Sequence, residues 1–275
     1  MAAKRPSWAP EGVDMEVPSP ARMYDALLGG SHNFDIDRKA AANAAGLVPD
    51  LPKVALSNRA FLRRSVRYLV DMGVRQFLDI GSGIPTVGNA HEVAQRAASD
   101  SRVLYVDIDP VAVAHSEVIL AGNERASAIE GDLRSPADLL TDVRVRNIID
   151  FDKPVGVLLV AVLHLLADAD RPHEVVATLR DAMPEGSYFV ISHLSSASRP
   201  DDAAQLGEQA RNKTGVPIIF RTREEITPFF DGLTVIDPGV VELPLWRPES
   251  EADIDEEPGR SLGLAGVGRK DTPAS

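Results

Sequence analysis

Phe77-Leu78-Asp79-Ile80-Gly81-Ser82-Gly83-Ile84-Pro85-Thr86 is the stretch that decides the fold of this 275-residue chain. Its apolar first half is typical of a parallel strand that is covered on both faces. Gly81 and Gly83 can adopt positive φ and let a ligand approach the backbone closely, and Thr86 can cap a following helix. A strand, a Gly-x-Gly turn and a helix N-terminus predict a nucleotide cradle, although the pattern taken alone also fits an ordinary strand-to-helix turn.

Asp79, two residues before the first glycine, indicates which nucleotide the turn would bind. The dinucleotide fingerprint has a third glycine where this chain has Thr86. Asp79-x-Gly81-x-Gly83 instead resembles the first motif of class I S-adenosylmethionine-dependent methyltransferases, where a carboxylate suits a cationic methionine amino group better than a phosphate. That family often has a further glycine where this chain has Pro85, which predicts a stiffer turn.

Strands and helices are predicted to alternate after this turn, which implies a parallel sheet with right-handed crossovers. The predicted strands are residues 74–80, 102–106, 126–130, 155–163 and 188–192. Two further strands, 233–236 and 240–245, are joined by so short a connection that they should form an antiparallel pair. We therefore predict an α/β fold with a doubly wound, mostly parallel seven-stranded sheet and a C-terminal antiparallel hairpin, which resembles the class I methyltransferase architecture.

The composition suits one α/β domain with appendages, since 44% of the residues are hydrophobic. The absence of cysteine excludes disulfides, thiolate metal sites and a cysteine nucleophile, and we predict no metal site. The N-terminus lacks the apolar core of a signal peptide, and the longest apolar run, residues 155–162, is too short to span a bilayer. A net charge of −12 disfavours nucleic-acid binding. We expect a cytoplasmic protein with neither a membrane nor a nucleic-acid partner.

Acidic residues follow the predicted strands in order, and ligands of open parallel sheets bind beyond the carboxyl ends of the strands. Asp107, 24 residues after Gly83, suits an acid that accepts both ribose hydroxyls in either nucleotide interpretation. Asp132, after the third strand, can accept from an adenine amino group, as in the methyltransferases that the motifs resemble. Each acid alone is more often a turn or cap residue, but three in order on successive strand ends indicate a nucleotide site.

The chain before the first strand is predicted to form a lid. Residues 1–18 are Pro-rich and expected to be flexible, and Ser19-Pro20 can open a helix that Gly29-Gly30 ends. Such a helix can act as a hinged lid, and a fixed helical hairpin is the alternative. We divide the chain into a flexible N-terminus (1–18), a helical lid (19–73), a cofactor-binding Rossmann-like domain (74–247) and a disordered acidic and Gly-rich tail (248–275).

Three segments carry a closer resemblance: Ala21-Arg22-Met23-Tyr24-Asp25-Ala26-Leu27-Leu28-Gly29-Gly30, Asn58-Arg59-Ala60-Phe61-Leu62 and Val160-Ala161-Val162-Leu163-His164. They are similar to a largely uncharacterised family of S-adenosylmethionine-dependent methyltransferase-like proteins found mainly in actinomycetes, and the likeness covers roughly residues 18–247. It implies S-adenosylmethionine as cofactor and S-adenosylhomocysteine as product. The implied covering residues are Tyr24, Gly30, His32 and Arg59. The remaining implied contacts, from the motifs and strand ends, are Asp79, Gly81, Ser82, Gly83, Asp107, Ile108, Asp132, Leu133 and Ala161.

Methyl transfer from a sulfonium is an in-line displacement, so positioning and exclusion of water can provide most of the acceleration. An acceptor oxygen or nitrogen can also require a base. His164, at the end of the central strand, is the first candidate and His193 the second, although the sequence favours a helix-capping or packing role for His164 over a catalytic one. No Asn-Pro-Pro-Tyr-like motif follows the fourth strand, which argues against methylation of adenine N6. The absence of cysteine excludes covalent attack on cytosine C5.

We therefore expect a methyltransferase that acts on a small-molecule acceptor. A cofactor-binding protein without catalysis, acting as a sensor or interaction module, is the alternative, since no obvious base is present. A nicotinamide-dependent dehydrogenase is less compatible with Thr86 in place of the third glycine and with Asp132.

Overall fold

The computed structural model describes residues 6–85, 88–213, 217–250, 254 and 261–271. The helices are α1 Pro20–Leu27, α2 Asp35–Leu47, α3 Leu51–Asp71, α4 Ala90–Ala97, α5 Pro110–Ile119, α6 Pro136–Thr141, α7 Val143–Ile148, α8 Pro172–Ala182, α9 Pro200–Lys213 and α10 Arg223–Ile226. The strands are β1 Gln76–Ile80, β2 Arg102–Asp107, β3 Ala126–Glu130, β4 Gly156–Val160, β5 Tyr188–Leu194, β6 Thr234–Val235, β7 Val241–Glu242 and β8 Gly263–Arg269.

The sheet has the strand order β3-β2-β1-β4-β5-β8-β6, with β7 also paired to β8. Strands β1 to β5 are parallel, and β8 runs antiparallel to β5. Alternate residues of β4 enter separate hydrophobic clusters: Val157 and Leu159 belong to one and Leu158 to the other. Helices therefore cover both faces of the sheet, and the predicted α/β class with a mostly parallel sheet is confirmed. The order reverses between β1 and β4, so the carboxyl ends of these two strands flank the crevice where ligands of such sheets bind.

The C-terminal part of the sheet differs from the predicted hairpin. Strands β6 and β7 do not pair with each other, because both pair with β8, which adds an eighth strand. Strand β8 lies within the tail that was expected to be disordered, so that expectation is wrong for residues 263–269. A Cβ atom at Gly266 would lie 2.9 Å from Phe230 Cζ, and one at Gly268 would lie 2.9 Å from Leu233 Cβ. The glycines that indicated a flexible tail instead let these side chains pack against the strand.

The first helix after the glycine turn begins later than residue 86, where the sequence placed it. Helix α4 begins at Ala90, and Asn89 and Glu92 form its capping box. Gly88 and Asn89 donate their backbone N–H groups to the Glu92 carboxylate at 2.9 and 3.2 Å. Thr86, the predicted cap, lies outside the described residues.

The N-terminal segment packs on the domain rather than extending from it. Residues 6–18 contain no helix or strand before α1, yet the Trp8 ring stacks on Phe34 with 5.1 Å between ring centroids. Helix α3 packs against β4, β5 and β8, and α1 and α2 pack on each other. Among the helices of the described ranges, none is both long enough and apolar enough to cross a bilayer.

Candidate active site

The glycine turn after β1 is held by the neighbouring strand. The N–H groups of Gly81 and Ser82 donate to the Val106 carbonyl at 2.7 and 3.2 Å. Gly81 has φ +71°, and a Cβ atom there would lie 2.2 Å from Val162 Cγ2. Gly83 has φ +66°, and among the described residues, apart from its two chain neighbours, no heavy atom lies within 4 Å of the position that its Cβ would take. The first glycine therefore permits packing, and the second leaves the backbone open to a ligand.

Asp107 ends β2 and binds the same turn. Its Oδ2 atom accepts from the Gly83 N–H at 2.7 Å, and its Oδ1 atom accepts from the Asp109 N–H at 2.8 Å. Burial raises the pKa of the Asp107 carboxyl to about 6, although the hydrogen bonds from Asp109 and Gly83 lower it. Each oxygen retains a lone pair, so the carboxylate can accept further hydrogen bonds.

Asp79, near the carboxyl end of β1, and Arg59, on α3, are both buried, and each has hydrogen-bonding capacity that the described residues leave unused. Asp79 is 5% exposed and Arg59 is 9% exposed. Within the described ranges, we find no hydrogen bond to the Asp79 carboxylate and no ion pair to Arg59 within 4 Å. Arg59 donates from Nη2 to Asn89 Oδ1 at 3.0 Å, while its buried Nε atom has no partner.

Burial raises the pKa of the Asp79 carboxyl to about 7; the Arg59 cation lowers it and the Asp107 carboxylate raises it further. The two groups thus form a buried acceptor and a buried donor of opposite charge, both with unused hydrogen-bonding capacity. Such groups are costly unless a ligand completes them.

The residues after β3 lie next to Asp107, because the Gly131 N–H donates to the Asp107 carbonyl at 3.0 Å. Arg134 binds the Asp132 carboxylate, with 2.6 Å between Nη2 and Oδ2, and this bond lowers the pKa of Asp132. The Leu133 side chain is buried in the core, whereas the Ile108 side chain is 55% exposed. Asp132 is therefore less free to accept from a ligand than the sequence suggested, and Ile108 offers an apolar surface.

The predicted covering residues of the lid have different surroundings. A Cβ atom at Gly30 would lie 2.0 Å from Asp25 Oδ1, so glycine is required there by close approach of Asp25. The His32 N–H donates to Asp25 Oδ2 at 3.0 Å, and the His32 ring packs on His115 of α5 with 3.8 Å between centroids. The Tyr24 hydroxyl donates to the Ala55 carbonyl at 3.0 Å. These contacts hold the lid helices together and dock them on the domain.

Known proteins with a similar sequence or structure place the chain in a family. The sequence matches the model of a family described as S-adenosyl methyltransferase over residues 6–271. The chain belongs to this family. It is similar to the structure of a proposed methyltransferase from Thermobifida fusca YX, with 41% identity, a TM-score of 0.91 and coverage of 97% of this chain and 100% of the other. Among curated proteins none matches.

Two further structures extend the comparison. A DUF574 family protein from Streptomyces avermitilis MA-4680 has 33% identity and a TM-score of 0.89 over 94% of this chain and 99% of its own. An O-methyltransferase family protein from Burkholderia thailandensis has 15% identity and a TM-score of 0.52 over 91% of this chain and 64% of its own, and it shows the fold alone. The resemblance to an S-adenosylmethionine-dependent methyltransferase family is thus confirmed, and S-adenosylmethionine is the cofactor.

In the S-adenosyl methyltransferase family the cofactor carries an amino-acid group, a ribose and an adenine, and the residues of this chain fit such a molecule. The buried Asp79 carboxylate and the Arg59 Nε atom, which has no partner among the described residues, are complementary to an ammonium and a carboxylate. Gly83 leaves its backbone open. In the described part of the chain, no group of three or more His, Asp or Glu side chains is arranged to hold a metal ion.

His164, the first candidate base of this methyltransferase, is buried and 8% exposed. Its buried Nδ1 atom has no hydrogen-bond partner among the residues that the structure describes. Burial lowers the pKa of His164 well below its ordinary value, and the neighbouring His193 and Arg221 lower it further. The ring is therefore neutral, and it is able to accept one proton.

His193, the second candidate, is fully engaged by the protein. Its Nδ1 atom lies 2.7 Å from the Leu194 carbonyl, which can only accept, and its Nε2 atom lies 2.8 Å from Arg221 Nη1, which can only donate. The lone pair is thus occupied, and burial lowers the pKa of His193 to about 3. This geometry argues against the predicted catalytic role, and we remove His193 from the candidate site.

Sequence reasoning missed two buried polar residues near the strand ends, Asn58 and Ser192. Ser192 Oγ donates to Asn58 Oδ1 at 2.6 Å, although the residues are 134 positions apart in the chain. Asn58 immediately precedes Arg59 in one of the segments that carried the resemblance, which is the only sequence signal for it.

Proposed function

We propose that this protein transfers the methyl group of S-adenosylmethionine to a small-molecule acceptor, with positioning and exclusion of water as the main sources of acceleration. The observation that carries the proposal is the buried pair of Asp79 and Arg59 beside the open glycine turn: among the described residues, neither the Asp79 carboxylate nor the Arg59 Nε atom has a hydrogen-bond partner. When bound, the cofactor supplies an electrophilic methyl group.

Each part of the cofactor has a counterpart among the site residues. Asp79 accepts from the amino group, and Arg59 donates to the carboxylate. Asp107 accepts from the ribose hydroxyls through the lone pairs that the protein leaves free. Ile108 provides apolar contact for the adenine, and Asp132 accepts from its amino group while Arg134 holds the carboxylate in place.

Helices α1 and α2 are proposed to be the lid that keeps water from the site. Phe34 packs against Ile84 of the glycine turn and against Val111 and Ala112 of α5. A buried charge network joins the same surfaces: Arg22 Nε lies 3.1 Å from Asp37 Oδ2 and 3.8 Å from Asp109 Oδ2.

The lid also reaches the ribose acid. Ser19 Oγ donates to Asp109 Oδ2, and the Asp109 N–H in turn donates to Asp107. The lid thus contacts both loops that would hold the cofactor, which supports closure over the site.

His164 is proposed to take the acceptor proton, because its buried Nδ1 atom has no partner in the described part of the chain and its ring is neutral. A low pKa makes it a weak base, and this favours the second candidate function, a cofactor-binding sensor without turnover. The weak base also suits acceptors that lose their proton after, rather than before, methyl transfer.

Cofactor affinity is expected to rise with pH between about 5 and 7. The Asp79 carboxyl, with a pKa of about 7, must be ionised to accept from an ammonium, so binding displaces its proton below that pH. Affinity for S-adenosylhomocysteine should increase about tenfold per pH unit and then level off. Calorimetry in buffers of different ionisation enthalpy measures both the affinity and the proton release. An affinity that is constant from pH 5 to 7.5 would contradict the role of Asp79.

Formation of S-adenosylhomocysteine from S-adenosylmethionine, followed by mass spectrometry, tests the proposed function. The acceptors are panels of phenols, carboxylic acids and amines, with oligonucleotides and peptides as separate arms. We expect turnover in a small-molecule arm only. Turnover confined to oligonucleotides or peptides would overturn the acceptor class, and binding without turnover in any arm would favour the sensor.

A further inference from the structure

A continuous series of four hydrogen bonds runs from the end of β4 to the lid. The Ala161 N–H donates to Ser192 Oγ at 2.9 Å, and Ser192 Oγ donates to Asn58 Oδ1 at 2.6 Å. Asn58 Nδ2 donates to the Tyr24 hydroxyl at 3.0 Å, and that hydroxyl donates to the Ala55 carbonyl at 3.0 Å. All four bonds run in one direction and connect β4, β5, α3 and α1.

The series begins at a strained residue. Ala161 has φ +59°, the left-handed region that residues with a Cβ atom rarely adopt. Its N–H lies 3.3 Å from the Ser192 carbonyl, a longer contact than the one to the hydroxyl. The Ser192 hydroxyl is thus the closer of two acceptors that keep the Ala161 backbone in this conformation.

The backbone conformation of Ala161 affects the position of two neighbouring residues at the candidate site. Ala161 directly precedes Val162, whose methyl group packs against Gly81 in the glycine turn, and His164 follows two residues later. In the middle of the series of hydrogen bonds, Asn58 adjoins Arg59 on α3. Both Asn58 and Ser192 are buried, at 5% and 2% exposure, so neither offers a surface of its own to a ligand.

We propose that Asn58 and Ser192 are positioning residues that couple the docked lid helix α1 to the conformation of Ala161, so that lid order and cofactor affinity depend on each other. The inference rests on the proposed cofactor site and adds the path by which the lid acts on it. A one-directional chain of buried hydrogen bonds is suited to this role, because loss of one member leaves its neighbours unsatisfied.

Ser192→Ala tests the coupling, with Ser65→Ala as the matched control. Ser65 is fully buried on α3, but its hydroxyl bonds only to carbonyls of its own helix. We expect Ser192→Ala to fold, to bind S-adenosylhomocysteine about tenfold more weakly and to exchange the amides of residues 20–27 faster even without ligand. Ser65→Ala should leave the affinity and that exchange unchanged.

Ala161→Gly supplies a rescue that a purely structural role of Ser192 would not show. Glycine adopts positive φ without strain, so adding Ala161→Gly to Ser192→Ala should restore affinity to within about threefold of the parent protein. Failure of the rescue, or unchanged exchange of residues 20–27 in Ser192→Ala, would overturn the coupling. If the parent protein does not bind S-adenosylhomocysteine, the proposed site is wrong, whereas the exchange measurement still decides the coupling.

Discussion

Asp79→Asn is expected to weaken the binding of S-adenosylhomocysteine by about 100-fold. Removing one charge of a desolvated pair that binds opposite charges costs about 2–5 kcal/mol, and tenfold in affinity corresponds to about 1.4 kcal/mol. The variant keeps the shape of the side chain but carries no negative charge to attract an ammonium. Isothermal titration calorimetry at pH 8, where the parent carboxyl is ionised, gives the comparison.

The same variant should not lose stability. A carboxyl whose pKa is raised by folding stabilises the protein while it is protonated, and this stabilisation is lost as pH rises from about 4 to about 7. Above pH 7 the neutral asparagine avoids the cost of burying the charge, so its melting temperature should equal or exceed that of the parent protein. Asp181→Asn, at an exposed ion pair with Arg180, is the control. An unchanged affinity in folded Asp79→Asn would remove Asp79 from the site.

Deletion of residues 261–275 is expected to abolish folding. Strand β8 pairs with β5 over seven residues, from Tyr188↔Arg269 to Leu194↔Gly263. The buried side chains of Leu264 and Val267 in β8, and of Leu262 just before it, each contribute about 1.5–3 kcal/mol. That loss alone approaches the 5–15 kcal/mol that holds a typical domain folded. Circular dichroism and thermal melting of the truncated protein measure the effect.

Val267→Asp provides the milder test of the same strand. Val267 is fully buried, and a carboxylate there would have no partner, whereas Val118 on α5 is 74% exposed. We expect Val267→Asp to lower the melting temperature strongly and Val118→Asp to leave it nearly unchanged. A truncated protein that melts cooperatively near the parent temperature would mean that β8 is dispensable.

The sequence was sufficient to predict the first half of the sheet, because the patterns that indicate these strands and turns are local. A short apolar run, a Gly-x-Gly turn and an acid at the next strand end each occupy a few residues, and parallel strands bring their carboxyl ends to one edge. Asp79, Gly83 and Asp107 could therefore be placed together from their positions in the chain alone. Capping is equally local: the Asp109 side chain, directly before Pro110 of α5, accepts from the Val111 N–H at 2.8 Å.

The sequence predicted that the lid is helical, but it did not predict which residues the lid contacts. Two adjacent glycines indicated a hinge, whereas Gly30 lies against Asp25 and the following segment packs on α5. The partner of the Ser19 hydroxyl, Asp109, is 90 residues away in the chain. No local sequence pattern predicts such a pairing.

The sequence by itself determined the five parallel strands, the glycine turn, the acids at the strand ends and the family, because each depends on neighbouring residues or on motifs. Only the tertiary structure decided that the Gly-rich segment is a strand, since its glycines are needed where Phe230 and Leu233 press against it. It likewise decided that Arg221 occupies the lone pair of His193. The space around a glycine and the hydrogen-bonding capacity left to a side chain depend on residues that are distant in the chain. They are therefore fixed only when the chain has folded.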